Sequence, residues 1–294
     1  ALERGQVWLN RREVTPAAAA RALVIGDRVV LWLDRPGSAR RRARPGSPRT
    51  SDVPVLFEDD RLIVVNKPPG LLTVPLPGRR DLPSVVDHLS RYLRSRGKRR
   101  PLVVHRIDRD TSGLVVFATE RTAQAILVDQ FRRHEPERVY LALVGGTPVP
   151  ARGDWRDHLA WDRARRRQTS THPGDRRGQE GLCHYRVVES FGEASLIEVR
   201  LVTGMRNQIR LQAQLRGHAL LGERQYVGMT GEAVGQDCRR QALHAARLRF
   251  KHPGSGQVLT FEAPLPPDMA ELLTVLRGRV TMTRGSASYR SGRG

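Results

Sequence analysis

The chain has 294 residues, 39% of them hydrophobic, so it is long enough to bury a core and to form more than one domain. Its formal net charge is +21, and all but three of its 51 basic residues are arginine, which favours an anionic partner and makes nucleic acid the first candidate. Two cysteines without a C-x-x-C spacing argue against a disulfide framework, and no apolar run approaches the ~18 residues that span a bilayer, so we expect a cytoplasmic protein without a membrane partner.

The first predicted elements lie in residues 1–34, where the pattern predicts strands over 6–10 and 28–33. Gly5 to Asn10, followed by Gly26-Asp27-Arg28-Val29, resembles the second half of a small RNA-binding module named after a small-subunit ribosomal protein. The resemblance covers only about half of that module. An ordinary β-hairpin is the alternative interpretation of these residues.

A basic flexible linker is predicted over 35–52. This stretch is rich in Pro, Gly, Ser and Arg, and it has no apolar residue that could anchor it to a core. A run of this kind is usually a solvated tether. Because it contains Arg40-Arg41-Arg42, we also expect it to contact phosphates.

The main domain is predicted over 53–280, and its elements alternate without regular strand–helix–strand units. Strands are predicted over 62–66, 102–104, 114–118, 139–144, 184–188, 195–202 and 257–262, helices over 84–94 and 122–132, and a surface loop or ribbon over 152–177. Few strands are separated by full helices, so the predicted fold is α+β: a mixed, largely antiparallel sheet with flanking helices and a central cleft. The low-complexity tail, 281–294, is predicted to be disordered.

A dense cluster of charge lies at 105–113, His-Arg-Ile-Asp-Arg-Asp-Thr-Ser-Gly, between two strands that are predicted to be buried. A polar segment in this position is where a rigid scaffold commonly displays reactive groups. Asp108 lies between Arg106 and Arg109, whose charges favour the ionised carboxylate, so Asp108 is a candidate nucleophile or base. The alternative is a loop held by a structural Asp–Arg pair, which is the commoner role of an isolated R-x-D-R.

A second charged segment follows the strand over 195–202. Gly204 ends the strand, and a helix is predicted to start there and to end near Gly217. Arg206 and Arg210 are four residues apart and would share a face of this helix, forming a clamp for phosphate or carboxylate. A solvated helix face is the alternative.

Residues 105–118 resemble the signature H-R-L-D-x-x-T-S-G-x-x-x-x-A of the RluA-type pseudouridine synthases, with Ile107 in place of Leu. Further motifs of this family follow the same order along 53–276: the opening that ends N-K-P-x-G, K-x-Y at 138–140, L-x-T-G-R-x-H-Q-I-R at 201–210, G-H-x-L-x-G-D-x-x-Y at 217–226 and the closing R-Q-x-L-H-A … F-x-H-P at 240–253. The chain departs from the family at Met205 (usually Arg), Asn207 (commonly His) and Glu223 (Asp).

The resemblance implies an RNA pseudouridine synthase, an isomerase that flips a uridine out of the RNA and needs neither a metal nor another cofactor. It implies that Asp108 is catalytic, that Arg210 pairs with it, and that Tyr140 stacks on the target base. The predicted substrate-binding residues are Arg106, Arg109, Thr111, Arg206 and Ile209.

The predicted partner is RNA, with ribosomal RNA favoured over transfer RNA because of the N-terminal module and the linker, and a monomer is expected. One alternative is a non-catalytic RNA-binding or ribosome-assembly protein that has kept the fold. Another is a metal-dependent nuclease, which would need several carboxylates converging with histidine. Asp108 and Asp110 alternate along an extended segment, so they need not face the same way.

Overall fold

The computed structural model describes residues 7–9, 12–14, 29–31, 53–78, 82–95, 97, 100–226 and 238–290. The chain forms two compact units, residues 1–51 and 52–294. The linker predicted over 35–52 lies outside the described residues.

The described part of the first unit is a small antiparallel sheet in the order β2-β1-β3. Its strands are β1 (Val7–Leu9), β2 (Arg12–Glu13) and β3 (Val29–Leu31). The strands predicted over 6–10 and 28–33 are present at these positions. The identity of this unit as an RNA-binding module stays a prediction.

The second unit contains the remaining elements. Its strands are β4 (Val55–Glu58), β5 (Leu62–Lys67), β6 (Leu102–Val103), β7 (Ser112–Ala118), β8 (Glu137–Gly145), β9 (Arg152–Asp162), β10 (Arg167–Thr171), β11 (Gln179–Ser190), β12 (Ala194–Leu201), β13 (Leu243–Lys251) and β14 (Val258–Glu262). Its helices are α1 (Val85–Ser95), α2 (Arg121–Arg132), α3 (Gln208–Leu215) and α4 (Pro267–Arg290).

These strands form one sheet in the order β10-β9-β11-β12-β8-β13-β7-β5-β4, with β14 paired to β13 and β6 paired to β7. Among the described strands, the pairing of β13 with β7 is parallel and every other pairing is antiparallel. The mixed, largely antiparallel α+β fold predicted from the sequence is therefore confirmed.

The middle of the sheet is buried on both faces. Along β5, Ile63 and Val65 pack into the cluster that contains the apolar side of α1, whereas Leu62 and Val64 pack into the cluster that contains α2. Successive side chains of a strand point to opposite faces, so a strand covered on both sides has to be apolar at every position. This explains the continuous apolar runs over 62–65 in β5 and over 114–118 in β7.

Helix α1 starts with a reciprocal hydrogen-bonded cap. The amide of Asp87 donates to Oγ of Ser84 at 3.2 Å, and the amide of Ser84 donates to the Asp87 carboxylate at 3.0 Å. From this start, Val85, Leu89 and Leu93 are spaced four residues apart and all lie in the core.

The segment predicted as a surface loop or ribbon is a ribbon, and its base belongs to the core. Strand β9 pairs with both β10 and β11, and its Trp155 and Leu159 are buried. Alternate positions face inward, which the many charges of this segment concealed. The tip over 163–166 is exposed.

The structure differs from the prediction at the C-terminus. Helix α4 was not indicated by the sequence, and it continues to Arg290 through residues that were predicted to be disordered. Its first turns are anchored by Met269 and Leu273, and adding residues to an established helix is far easier than starting one. Residues 291–294 lie outside the described part.

The segment that carries Asp108 leaves β6 and enters β7 through a tight contact with β13. Gly113 has φ +113°, and a Cβ at this residue would lie 2.3 Å from the carbonyl oxygen of Ala245. Only glycine allows this approach. This contact fixes the end of the segment at the point where β7 pairs in parallel with β13.

Candidate active site

A cavity of about 540 Å³ lies where the segment between β6 and β7, strand β8 and the start of α3 meet. Its walls include all of the predicted site residues except Arg109. The topology therefore brings together groups that are separated by about a hundred positions in the sequence.

Asp108 presents its carboxylate to two donors that come from the start of α3. Oδ2 accepts a hydrogen bond from Nδ2 of Asn207 at 2.8 Å and another from Nη1 of Arg210 at 3.3 Å. The side chain is 24% exposed, so it is reachable from the cavity while most of it is shielded from water. Two donors on one oxygen, one of them charged, fix the position of the carboxylate in the cavity wall.

Arg210 is held on its other side by Glu223 in a bidentate ion pair. Nε donates to Oε2 at 2.6 Å and Nη2 donates to Oε1 at 2.7 Å, and both side chains are buried. Burial alone would lower the pKa of Arg210, but the hydrogen bonds and charge of Glu223, with the charge of Asp108, raise it above its usual value. The guanidinium is therefore charged, and its Nη1 is left to face Asp108.

Glu223 is itself fixed by the backbone. Its Oε1 accepts hydrogen bonds from the amides of Arg224, Gln225 and Tyr226 at 3.0, 2.8 and 3.3 Å. Burial would raise the pKa of Glu223, but the hydrogen bond and charge of Arg210 and these amides lower it below its ordinary value. The Arg210–Glu223 pair is thus a rigid support behind the carboxylate of Asp108.

Asn207 is a site residue that sequence reasoning missed. It has φ 54° and ψ 20°, a left-handed backbone that asparagine tolerates better than most residues, and this geometry turns its amide towards Asp108. The only signal in the sequence was its departure from the histidine that is common in the family.

The predicted clamp of Arg206 and Arg210 on one helix face is wrong. Helix α3 begins at Gln208, whose Oε1 accepts hydrogen bonds from the amide of Met205 and the hydroxyl of Thr203 at 3.0 and 2.9 Å. This turn precedes the helix, so Arg206 leaves in another direction. Its guanidinium lies over the ring of Trp161, 4.2 Å from the centroid, at the mouth of the cavity.

Arg109 does not flank the carboxylate of Asp108 as predicted. Its Nε and Nη2 donate to the carboxylate of Asp110 at 3.1 and 3.0 Å, and the side chain lies outside the cavity. Residues 108–111 form a turn, in which the amide of Thr111 donates to the carbonyl of Asp108 at 3.2 Å, and this turn places Arg109 beside Asp110 instead. Arg106 does line the cavity, and the partial burial of its exposed side chain, followed by the nearby charge of Arg206, lowers its pKa.

Lys67 ties the end of β5 to the segment that carries Asp108. It is completely buried, and its Nζ donates to the carbonyls of Pro68, Leu71 and Arg109 at 2.9, 2.8 and 2.8 Å. Burial lowers the pKa of Lys67 to about 7 although the charge of Asp110 opposes this. The sequence had indicated only that Lys67 belongs to the N-K-P-x-G opening shared with the family.

Three further predicted residues form the inner wall of the cavity. Tyr140 on β8 is 8% exposed, and burial raises the pKa of its hydroxyl. Ile209 is buried beside it in the same apolar cluster. Oγ1 of Thr111 is buried and has no hydrogen-bond partner within the described ranges, so it offers a polar group to a ligand.

Within the same ranges, no group of three or more His, Cys, Asp and Glu side chains is placed to hold a metal ion. No described helix has the length and apolar character needed to cross a bilayer.

Comparisons with known proteins match most of the chain to pseudouridine synthases. The family model described as RNA pseudouridylate synthase matches residues 61–215. Sequence relatives include ribosomal large subunit pseudouridine synthase D of Zymomonas mobilis, which is 39% identical over 247 residues that cover 79% of this chain and 76% of the relative. Ribosomal large subunit pseudouridine synthase C of Salmonella typhi is 33% identical over 294 residues, covering 95% of this chain and 87% of the relative.

Among solved structures, human RNA pseudouridylate synthase domain containing 4 aligns with a TM-score of 0.63 at 20% identity. The alignment covers 76% of this chain and 93% of that chain. At this identity, the likeness supports the fold alone.

Proposed function

This chain belongs to the RluA-type RNA pseudouridine synthases, and we propose that it isomerises specific uridines to pseudouridine in ribosomal RNA. The relatives named for the large ribosomal subunit support ribosomal RNA as the substrate. The net charge of +21 suits a polyanion of this size.

The reaction breaks the N-glycosidic bond, turns the uracil and joins its C5 to the ribose. These atoms are hidden while the nucleotide is stacked, so the enzyme has to extrude the base, which costs a few kcal/mol and least in loops and single strands. The cavity beside Asp108 is the space on this protein that would receive the extruded nucleotide.

The observation that carries the proposal is the placement of Asp108 in the wall of this cavity, with Arg210 and Asn207 on one of its oxygens. Attack on the substrate and removal of a sugar proton are both reactions of an ionised carboxylate, and this arrangement supports either. Arg210, held by Glu223, would keep the carboxylate of Asp108 oriented towards the substrate.

Other residues would bind rather than react. Tyr140 would stack on the flipped uracil, with Ile209 and the hydroxyl of Thr111 completing the wall. Stacking on an aromatic ring contributes about 1–3 kcal/mol per base in proteins that bind single strands. Arg106 and Arg206 would hold phosphates at the mouth, which fixes position without reading sequence. We further propose that the protein works as a cytoplasmic monomer without a cofactor.

The test is the release of tritium from RNA that carries the label at uridine C5, with no cofactor added. We expect release by the wild-type protein and none by Asp108→Asn, which keeps the shape of the side chain and removes its charge. RNA affinity should stay within a few-fold of wild type. Asp110→Asn is the matched control, because Asp110 lies two residues away but outside the cavity, and it should retain release.

Release that survives Asp108→Asn would refute the role of Asp108. A wild-type protein that binds ribosomal RNA and releases no label would instead support the non-catalytic RNA-binding alternative. Mapping pseudouridines in cells with and without the protein would identify the modified uridine.

A further inference from the structure

Arg138 lies in the cavity wall, two residues before Tyr140 on β8. The two side chains therefore lie on the same face of the strand. Arg138 is 9% exposed, which is unusual for a cation.

This buried cation has no countercharge. Within the described ranges, no carboxylate lies within 4.0 Å of its guanidinium, whereas the other buried arginine of the cavity, Arg210, has two. Its Nη2 donates to the carbonyl of Val202 at 2.8 Å, and its Nε is buried without an acceptor. Burial accordingly lowers the pKa of Arg138.

The neighbours of Arg138 are neutral. Its guanidinium carbon lies 5.8 Å from the centroid of the Phe131 ring, which stacks on His105. Burial, followed by the charge of Arg138, lowers the pKa of His105 to about 3, and its Nε2 accepts a hydrogen bond from the amide of Val116. His105 is therefore uncharged at neutral pH.

The backbone at Gly204 lies directly against the guanidinium of Arg138. A Cβ at Gly204 would lie 2.3 Å from Nη1 of Arg138, so any other residue at Gly204 would displace the guanidinium. A single hydrogen bond to Val202 does not compensate for a buried charge. The fold thus holds an unpaired positive charge at the cavity.

We propose that Arg138 binds a backbone phosphate of the substrate RNA, next to the uridine that enters the cavity. A backbone phosphate already carries a full negative charge in the unreacted RNA. Its oxygens also match the planar fork of a guanidinium. The inference rests on the proposed function, because it takes RNA as the ligand. It goes beyond that function by assigning one buried phosphate site, distinct from the exposed Arg106 and Arg206 at the mouth.

The first test is Arg138→Met, which removes the charge and keeps the bulk of the side chain. We expect RNA affinity to fall about 10- to 100-fold, the usual effect of losing hydrogen bonds to a charged group. We also expect the melting temperature to stay equal or to rise, since the variant no longer buries an unpaired charge. A purely structural role would lower the melting temperature and leave affinity unchanged.

The second test changes the RNA instead of the protein. In a series of oligonucleotides with the target uridine, each phosphate in turn is replaced by a neutral methylphosphonate. For the wild-type protein, one position adjacent to the uridine should weaken binding, and Arg138→Met should bind that oligonucleotide and the natural one equally well. Arg186→Met, which removes the same charge from an exposed pair with Glu198, is the control and should keep the wild-type pattern.

Arg138→Lys keeps the charge but not the fork, and it should give an intermediate affinity. If the methionine variant does not fold, the neutral Arg138→Gln replaces it in the series. The proposal is overturned if every methylphosphonate position affects wild type and variant alike. Label release by the wild-type protein on natural RNA tests the proposed function separately, so the two failures are distinguishable.

Discussion

Replacing Glu223 by glutamine should both destabilise the protein and slow the reaction. In the glutamine variant, the carbonyl oxygen can take the place of Oε1 and keep the backbone amides as donors. The NH₂ group then faces the Nε–H of Arg210, where Oε2 now accepts at 2.6 Å. Two donors oppose each other, and the buried guanidinium loses the closer of its two countercharges and keeps only Asp108.

The magnitude follows from the burial of this pair. Removing one partner of a buried ion pair typically costs about 3–5 kcal/mol, which corresponds to a fall of about 6–20 °C in melting temperature for a domain of this size. The turnover number should fall as well, because Arg210 is no longer held where its Nη1 meets Asp108.

The assay is thermal unfolding followed by circular dichroism, with label release measured on the same samples at a temperature where both proteins are folded. Glu180→Gln is the control, since Glu180 forms an exposed pair with Arg156, and exposed pairs contribute only about 0–1 kcal/mol. A Glu223→Gln variant that melts within about 2 °C of wild type, with full turnover, would refute the reasoning, because a 1 kcal/mol loss alone shifts melting by about 2–4 °C.

Three further predictions concern the cavity. Asn207→Gly removes a donor to Asp108 without straining the left-handed backbone, and the turnover number should fall about 10- to 100-fold in single-turnover label release, with a smaller loss for Asn207→Gln. Because the pKa of His105 is lowered from 6.5 to about 3 in the folded state, stability should fall as the pH drops below 6.5, by up to about 1.4 kcal/mol per unit from this residue; urea unfolding at pH 4–7 should show a shallower slope for His105→Gln. Trp161→Ala should weaken RNA binding about 2- to 5-fold by removing the ring on which Arg206 lies, whereas Trp161→Phe should bind nearly normally in filter-binding titrations.

The elements that local patterns describe well were predicted from the sequence. Strands β5 and β7 each contain a continuous apolar run, and the charged segment between β6 and β7 stands out because it lies between two short apolar stretches. In the same way, α1 and α2 have apolar side chains at helical spacing, and their observed bounds lie within one residue of the predicted ones. Each of these signals depends on residues that are close in sequence.

The details of the site depend on contacts between distant residues, and sequence spacing is a poor guide to them. The adjacency of Arg109 to Asp108 suggested a pair, yet the carboxylate is bound by Arg210, which is 102 positions away. The spacing of Arg206 and Arg210 suggested a shared helix face, but the side chain of Gln208 folds back and delays the helix. Arg138 became visible as an unpaired charge only when its surroundings were known.

The order of the strands has a consequence for the synthesis of the enzyme. Strand β13 lies between β8 and β7, although about a hundred residues separate it from either of them along the chain. A nascent chain that has left the ribosome only as far as α3 already contains Asp108, Arg210 and Tyr140. It still lacks β13, the strand against which Gly113 packs. We therefore expect catalytic competence to appear late in translation, in a single step when the last central strand inserts, so that an incomplete chain cannot modify RNA.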